Sequence, residues 1–471
     1  MIRHFPQSPE CRAMRLALVF AALAVFAAPA QALDAPRPAA QNSYAPIVKQ
    51  ALPAVVNVFA SRTETRPRNP LFDDPVFQRF FGAENIPRQR TQQSLGSGVI
   101  VDASGLVVTN HHVIEGMTEV KIALSDKREF EAEIILRDQK SDLAVLKLKG
   151  SGPFPVVELG DSDALEVGDV VLAIGNPFGV GQTVTHGIVS ALARTQAGIS
   201  DYGFFIQTDA PINPGNSGGA LVDMNARLAG INSAIFSQTG SSVGIGFAIP
   251  INMVKGVIAT AKSGGHQVRR PWLGATLQNV TKEIADSLGL DRPSGAIVTE
   301  VFDKSPAAEA GLKRGDVVVA LDTQKIEDFE AFGYRFGTKA IGGSSSLNLL
   351  RNGKPLALAL KLIGAPEFPV RDARKLTGKQ PFAGASVANL SPALIEEISL
   401  DKFREGVVVT EVEEGSIAER LSLQKGDVVI SVNDVKIATT RDLEKLVASR
   451  HSVWKLTIGR AGEIFTSVVD G

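Results

Sequence analysis

Ser217 is the residue best placed to do chemistry. It sits in Gly215-Asn216-Ser217-Gly218-Gly219-Ala220, within the stretch 208–223, TDAPINPGNSGGALVD. A hydroxyl between glycines, entered from a proline-containing turn and left through an apolar strand, suits a nucleophile. The glycines let the chain fold tightly beside the hydroxyl, and the N–H groups of Gly215 and Ser217 can then aim at one oxyanion. Taken alone, the same cluster reads equally well as a glycine-rich turn. A serine hydroxyl needs a base, and the base needs an orienting acid. Two of the six histidines, His111 and His112, follow the apolar strand of LVVTNHHVIEG, 106–116. A base at a strand end is held rigidly and still reaches a cleft. Downstream, Asp142 immediately precedes the apolar run 143–146 in DQKSDLAVLKL, so its carboxylate is expected to be partly buried at a strand edge. Singly, each of these residues fits a turn or cap. Together they give His, Asp, Ser in that order, one of the chain orders in which an acyl-transfer triad occurs.

The segments that would position these residues read as β. From 95 to 249 short apolar strands alternate with Gly, Asp and Asn turns, among them GSGVIVD, LVVTN, VKIAL, EAEIIL, AVLKL, VVLAIGN, GIVSAL and LAGINSAI. That rhythm predicts a sandwich or a pair of barrels. Before it, 44–51 reads as a short helix leading into a strand at 54–60. The stretch 62–93 is polar and proline-rich, with phenylalanines at 72, 77, 80 and 81. A long irregular loop of this kind in a compact domain is usually functional or disordered, and the phenylalanines, which favour burial, weigh against a disordered insert. After Pro250 comes a helical stretch, 251–263, and a Gly264-Gly265 linker. Beyond it lies an internal repeat: Gly295 matches Gly406, Glu300 matches Glu411, and Gly315-Asp316 matches Gly426-Asp427 at one constant spacing. Such spacing means two copies of one domain. The second copy replaces Ala310-Gly311-Leu312 by Leu421-Ser422-Leu423 and loses the glycine.

Composition narrows the function classes. A chain of 471 residues predicts about three domains. Net charge is −1, so no basic excess exists to hold nucleic acid. Arg3, Arg12 and Arg15 precede an apolar run at 16–28, and Ala30-Gln31-Ala32 supplies a cleavage pattern. This predicts a signal peptide over 1–32 and export to a periplasm; Met14 is an alternative start. The apolar run is shorter than the ~20 residues that span a bilayer, so a retained anchor and membrane contact are the lesser alternative. The single cysteine, Cys11, falls in that leader, so the exported chain is expected to use neither disulfides nor thiolate chemistry. No P-loop segment is present, so no nucleotide drive is implied.

TNHHVI, SDLAVLKL, GNPFG (175–179), GIVSA (187–191), QTDAPINPGNSGGAL and GIGFAIP (244–250) jointly resemble the HtrA, or Do-like, serine proteases, specifically the DegP/DegQ type with two PDZ domains. The resemblance covers nearly the whole chain past the leader. It implies a mostly β protein, a chymotrypsin-like double β-barrel protease domain followed by two PDZ domains. The implied layout is 1–32 signal peptide, 33–94 N-terminal segment and regulatory loop, 95–263 barrel core, 271–363 first PDZ domain, 364–380 linker and 381–471 second PDZ domain. His112, directly before the Val of TN-x-H-V, becomes the base, with His111 in the variable position. Asp142 becomes the acid, Ser217 the nucleophile, and the N–H groups of Gly215 and Ser217 the oxyanion hole. Substrate binding is expected from Asn216, from Pro211 and Ile212, and from Ser233, Ala234 and Ile235. These segments carry no charge, so a small aliphatic side chain is expected before the cut.

The first carboxylate-binding loop is expected at 270–275, with Trp272, Leu273 and Gly274. The second is expected at 381–385, with Ala383, Gly384 and Ala385, where Gly384 replaces Leu273; it is open to a purely structural role. The loop 194–204 is the implied sensor of PDZ occupancy, with Arg194 as a contact. Partners are unfolded proteins, C-terminal peptides and further copies of the chain in trimers or their multiples, with Tyr44 and the loop phenylalanines as contacts. No metal or organic cofactor is called for. The alternative reading is a peptide-binding chaperone with secondary protease activity. An esterase fits poorly, since the nucleophile-elbow enzymes run Ser, Asp, His along the chain, whereas here the candidate histidine precedes Ser217.

Overall fold

Strand alternation closes two barrels of the same connectivity. The computed structural model describes residues 43–65, 89–176, 181–194, 204–213, 215–235, 243–400 and 403–470. The expected leader, the loop phenylalanines and the sensor positions 195–203 lie outside them. The described residues 43–50 belong to a different unit from the rest, and the helix α1 (Ala45–Ala51) begins among them.

The first barrel contains β1 (Val55–Thr65), β2 (Gln89–Asp102), β3 (Leu106–Asn110), β4 (Glu119–Ala123), β5 (Glu129–Asp138) and β6 (Leu143–Leu148). Its order is β1-β2-β3-β6-β5-β4, closed by pairing of β4 with β1. The second barrel contains β7 (Val170–Gly175), β8 (Thr183–Arg194), β9 (Phe205–Thr208), β10 (Ala220–Val222), β11 (Leu228–Ile235) and β12 (Gly246–Pro250). Its order, β7-β8-β9-β12-β11-β10, repeats that of the first, and β10 closes onto β7. Solvent-facing β4 alternates exposed and buried positions, whereas every residue of β3 is buried. A strand covered on both faces loses the period-2 signal and reads as a continuous apolar run. In the helix Ile251–Lys262, Ile251, Met253, Val254, Val257, Ile258 and Ala261 are buried. The helix ends at the first barrel, where Lys262 reaches Asp102 on β2 at 2.6 Å. The hydrogen bond from Lys262 holds the Asp102 carboxyl well below the usual carboxylate range.

The sequence repeat folds as two similar sheets. The first contains β13 (Ala275–Asn279), β14 (Ala296–Val301), β15 (Val317–Leu321), β16 (Gln324–Lys325), β17 (Ser344–Arg351) and β18 (Lys354–Lys361). The second contains β19 (Arg374–Lys375), β20 (Ala385–Asn389), β21 (Val407–Val412), β22 (Val428–Val432), β23 (Val435–Lys436), β24 (Val453–Arg460) and β25 (Glu463–Asp470). The repeated Gly-Asp pair has a physical reason in each. Asp316, almost fully buried, receives a two-pronged bond from Arg351, at 2.7 Å through both Nε and Nη2. Asp427 receives the same fork from Arg460 at 2.6 and 2.7 Å. The fork matches a planar carboxylate, so few other pairs can replace it. Each arginine also caps a carbonyl, that of Gly311 or of Ser422, at 2.7 Å. The lost glycine therefore changes little: Ser422 keeps a left-handed φ of 61° where Gly311 has 81°.

Candidate active site

The turn after β5 sets the position of Asp142. A 3-10 turn, Gln139–Ser141, leads to Asp142, whose φ of 54° lies in the left-handed region that aspartate tolerates better than most residues. This kink turns the residue inward, leaving it 5% exposed. Its carbonyl accepts from His111 N and from Asn110 Nδ2, both at 3.0 Å. Its carboxylate accepts from His112 N at 3.0 Å, from His112 Nδ1 at 2.8 Å and from Ser233 Oγ at 3.0 Å. A buried carboxylate with several donors holds an imidazole in one orientation and favours the proton on Nδ1, which leaves Nε2 as the acceptor. His111 Nδ1 is buried without a hydrogen-bond partner, so of the two adjacent histidines only His112 reaches the carboxylate. The His112 side chain is half-exposed and open to solvent.

Ser217 comes from the other barrel, in the turn between β9 and β10. The turn is stapled to β11 by Gly218 N to Asn232 O at 2.8 Å and by Asn232 N to Gly219 O at 2.9 Å. Two internal bonds, Asn216 N to Asn213 O at 3.0 Å and Gly219 N to Asn216 O at 2.9 Å, tighten it. Among the described residues, the N–H groups of Gly215 and Ser217 donate to no protein acceptor. Two such groups in a tight turn are what an oxyanion hole requires. The hydrogen bonds of His112 all go to Asp142, and none joins it to Ser217. Such a bond is commonly long until substrate arrives.

Gly218 shows why this turn needs glycine. Its φ is 83°, and a Cβ there would overlap the Ser97 carbonyl and the Thr109 hydroxyl. A non-glycine residue held in such a region costs about 1–3 kcal/mol before any overlap is relieved. Gly218→Ala is therefore expected to lower both the unfolding midpoint and the turnover. Both unchanged would mean that the turn has room to spare.

The remaining expected site residues are placed unevenly. Ser233 was expected on the wall of a substrate pocket, but its hydroxyl is committed to Asp142. Asn216 is 1% exposed and packed against Gly175, so it is not open to a substrate. Ile212 lies in the second barrel's core with Val189, Ala210 and Ala248, while Pro211 is exposed. Ala234 and Ile235 lie on β11, where Ala234 pairs with Phe247 beside a bulge. Arg194 ends β8 opposite Phe205. Sequence reasoning missed Asn110, whose amide braces Asp142, and Ser97, discussed below; each stands inside a quoted motif, which was the available signal. The described residues contain no cluster of three potential metal ligands.

The two repeat domains differ at their expected carboxylate loops. In the first, Trp272 N donates to Ile363 O, while the N–H groups of Leu273 and Gly274 have no acceptor among the described residues. Strand β13 follows directly and lies at the edge of its sheet. In the second, Ala383 N, Gly384 N and Ala385 N donate to Gln380 O, Leu376 O and Phe382 O at 3.0, 2.8 and 2.9 Å. The edge of β20 is already paired with β19, and Leu376 is buried in that domain's core. The second loop therefore offers no free N–H group among these three. Gly384 also corresponds to Gly274 rather than to Leu273. Both have left-handed φ, and a Cβ on either would overlap a serine, Ser416 or Ser305.

Arg270, expected at the first carboxylate loop, is instead buried and bound to Asp138 at the end of β5, where Ser141 also donates. Tyr334, on the helix Phe329–Gly337, stacks on Phe204 with centroids 3.9 Å apart and lies 3.3 Å from the Ser162 hydroxyl. Burial pushes the Tyr334 hydroxyl pKa up, so it stays neutral.

Comparison with known proteins agrees with this architecture. Residues 96–231 match the trypsin-like peptidase domain, and residues 271–362 and 375–459 each match the PDZ domain. Fold and matches define a serine endopeptidase with a trypsin-like domain and two PDZ domains. The chain is 40% identical over 444 residues to the periplasmic serine endoprotease DegP of Salmonella typhimurium, covering 89% of this chain and 90% of the relative. It is 38% identical over 448 residues to the periplasmic pH-dependent serine endoprotease DegQ of Escherichia coli, covering 93% of each. A solved HtrA-type protease, AlgW with a decapeptide, superposes with a TM-score of 0.53 at 46% identity, covering 69% of this chain and 99% of that one. The chain belongs to the HtrA-type family of DegP and DegQ serine endoproteases.

Proposed function

We propose that this chain is an ATP-independent endopeptidase that degrades unfolded proteins in the periplasm, with Ser217, His112 and Asp142 as its triad. The observation that carries the proposal is the buried Asp142 carboxylate, which binds the His112 ring nitrogen at 2.8 Å beside a turn that presents Ser217. Ser217 Oγ attacks the peptide carbonyl and His112 Nε2 takes its proton. Asp142 steadies the imidazolium that results. The N–H groups of Gly215 and Ser217 hold the oxyanion, and removing one such donor typically costs about 3 kcal/mol of barrier. The protonated His112 then gives its proton to the leaving amine, and water repeats the cycle to release the acyl group.

An extended, unfolded chain suits this site because the pairing of β11 with β10 stops at Ile231, which leaves 233–235 an edge that can take an added strand. The periplasmic assignment rests on the leader pattern and on the relatives' names. Reduced casein without ATP tests the reading. Wild type should digest it and Ser217→Ala should not. Absence of cleavage by either, with both suppressing casein aggregation, would favour the chaperone alternative.

The first PDZ domain is proposed to capture the C-terminal peptide. Its open N–H pair takes the carboxylate and the free edge of β13 takes the strand. The second domain, with its loop and edge filled by its own chain, is assigned a structural role. A fluorescent peptide with an aliphatic C-terminus should therefore saturate at one per chain. Saturation at two would return a binding role to the second domain.

A further inference from the structure

Ser97 stands on β2, in the first barrel, yet it makes three hydrogen bonds to the second. Its N–H donates to Ser217 O at 2.8 Å, its hydroxyl donates to Gly215 O at 2.6 Å, and the hydroxyl accepts from Asn176 N at 2.8 Å. Its own carbonyl accepts from Thr109 Oγ1, on β3, at 2.7 Å. The residue is fully buried, and its hydroxyl both donates and accepts. The base and the acid come from the first barrel and the nucleophile from the second. Ser97 therefore spans the seam across which the reacting groups must be aligned.

The bond to Gly215 is the informative one. Gly215 has a φ of 96° and no side chain, so little else restrains its carbonyl. The peptide unit joining Gly215 to Asn216 is held at both ends, its oxygen by Ser97 and its N–H by Asn213 O. The N–H groups of Gly215 and Ser217 flank this unit. If the Gly215 carbonyl turned to find another donor, at least one of them would turn away from the oxyanion.

We propose that Ser97 is a positioning residue for this reaction, whose hydroxyl locks the Gly215 peptide so that both oxyanion donors stay aimed. The proposal rests on the oxyanion-hole reading of Gly215 and Ser217 above. Ser97→Ala removes only the two hydroxyl bonds and keeps the main-chain bond to Ser217, so the barrels remain in register.

The test uses the full-length protein with a peptide substrate and a fluorophosphonate, whose oxygen occupies the same hole. Ser97→Ala is expected to lower kcat about 10²-fold, the scale of one lost oxyanion donor, with little change in KM. The labelling rate should fall in parallel, and Ser97→Thr, which retains the hydroxyl, should recover most of both. Wild-type kcat and labelling in Ser97→Ala would overturn the proposal. So would an activity loss that matches only a loss of folded protein, with the folded remainder turning over at the wild-type rate. If Ser97→Ala does not fold, Ser97→Cys, with its weaker donor, should turn over below wild type with KM little changed, and wild-type kcat there would overturn the proposal. Failure of the underlying reading looks different: Ser217→Ala would then cleave like wild type, and the wild type would not be labelled.

Discussion

Ser217→Ala should lower casein turnover about 10⁶-fold, the largest effect expected from any single substitution in this chain. That factor is about 8 kcal/mol of barrier, at 1.36 kcal/mol per decade. It is large because the hydroxyl carries the covalent step, and nothing else in the turn can replace it. Asn216 is buried, and the flanking Gly215 and Gly218 have no side chains. The residual rate would come from the N–H pair and from binding, which survive the change. The folded state should be nearly unaffected, because Ser217 is tied to its surroundings through its carbonyl, which accepts from Ser97 N, rather than through its hydroxyl. Initial rates of casein digestion, with thermal unfolding as the control for folding, check both halves. Loss of less than tenfold would remove Ser217 from the chemistry.

Asp142→Asn should lower kcat about 10⁴-fold with KM little changed. The carboxylate accepts from His112 Nδ1, which keeps the proton there and leaves Nε2 able to take one from serine. An amide at that place can donate to Nδ1 instead, which stabilises the wrong tautomer. The fold should tolerate the change, because asparagine is at home at a left-handed φ such as the 54° of residue 142. Its carbonyl would still bind His111 N and Asn110 Nδ2. The prediction is therefore selective: kcat falls while the unfolding midpoint holds. A variant within tenfold of wild type would place the orienting acid elsewhere.

Much of this was legible in the chain because it is local chemistry. Left-handed turns leave glycines, as at Gly215 and Gly218, and strands leave alternation, as in β4. The Gly-Asp repeat marks a turn whose aspartate must meet a fork. Less legible were contacts between residues far apart in sequence. Ser233 was read as a pocket wall because nothing near it announces Asp142, 91 residues away. Ser97 lies 118 residues from Gly215, and Arg270 lies 132 from Asp138, so neither pairing leaves a periodic trace. The comparison of the two PDZ loops failed for a related reason. Matching Gly384 to Leu273 follows residue order, while the structure matches it to Gly274 through a shared backbone conformation and a serine neighbour.

The amino-acid sequence by itself determined the residue types available for acyl transfer, their order, the β character of the chain and the duplication at its C-terminal end. These follow from side-chain chemistry and from backbone preferences that act over a few residues. Tertiary structure alone decided which polar groups remain free to work. Among the described residues the N–H groups at 215, 217, 273 and 274 meet no acceptor, whereas those at 383, 384 and 385 are taken, although both sets sit in glycine-containing turns. Most buried donors find an acceptor. Whether one is within reach depends on which distant segment packs beside it, and that is settled only when the chain closes on itself.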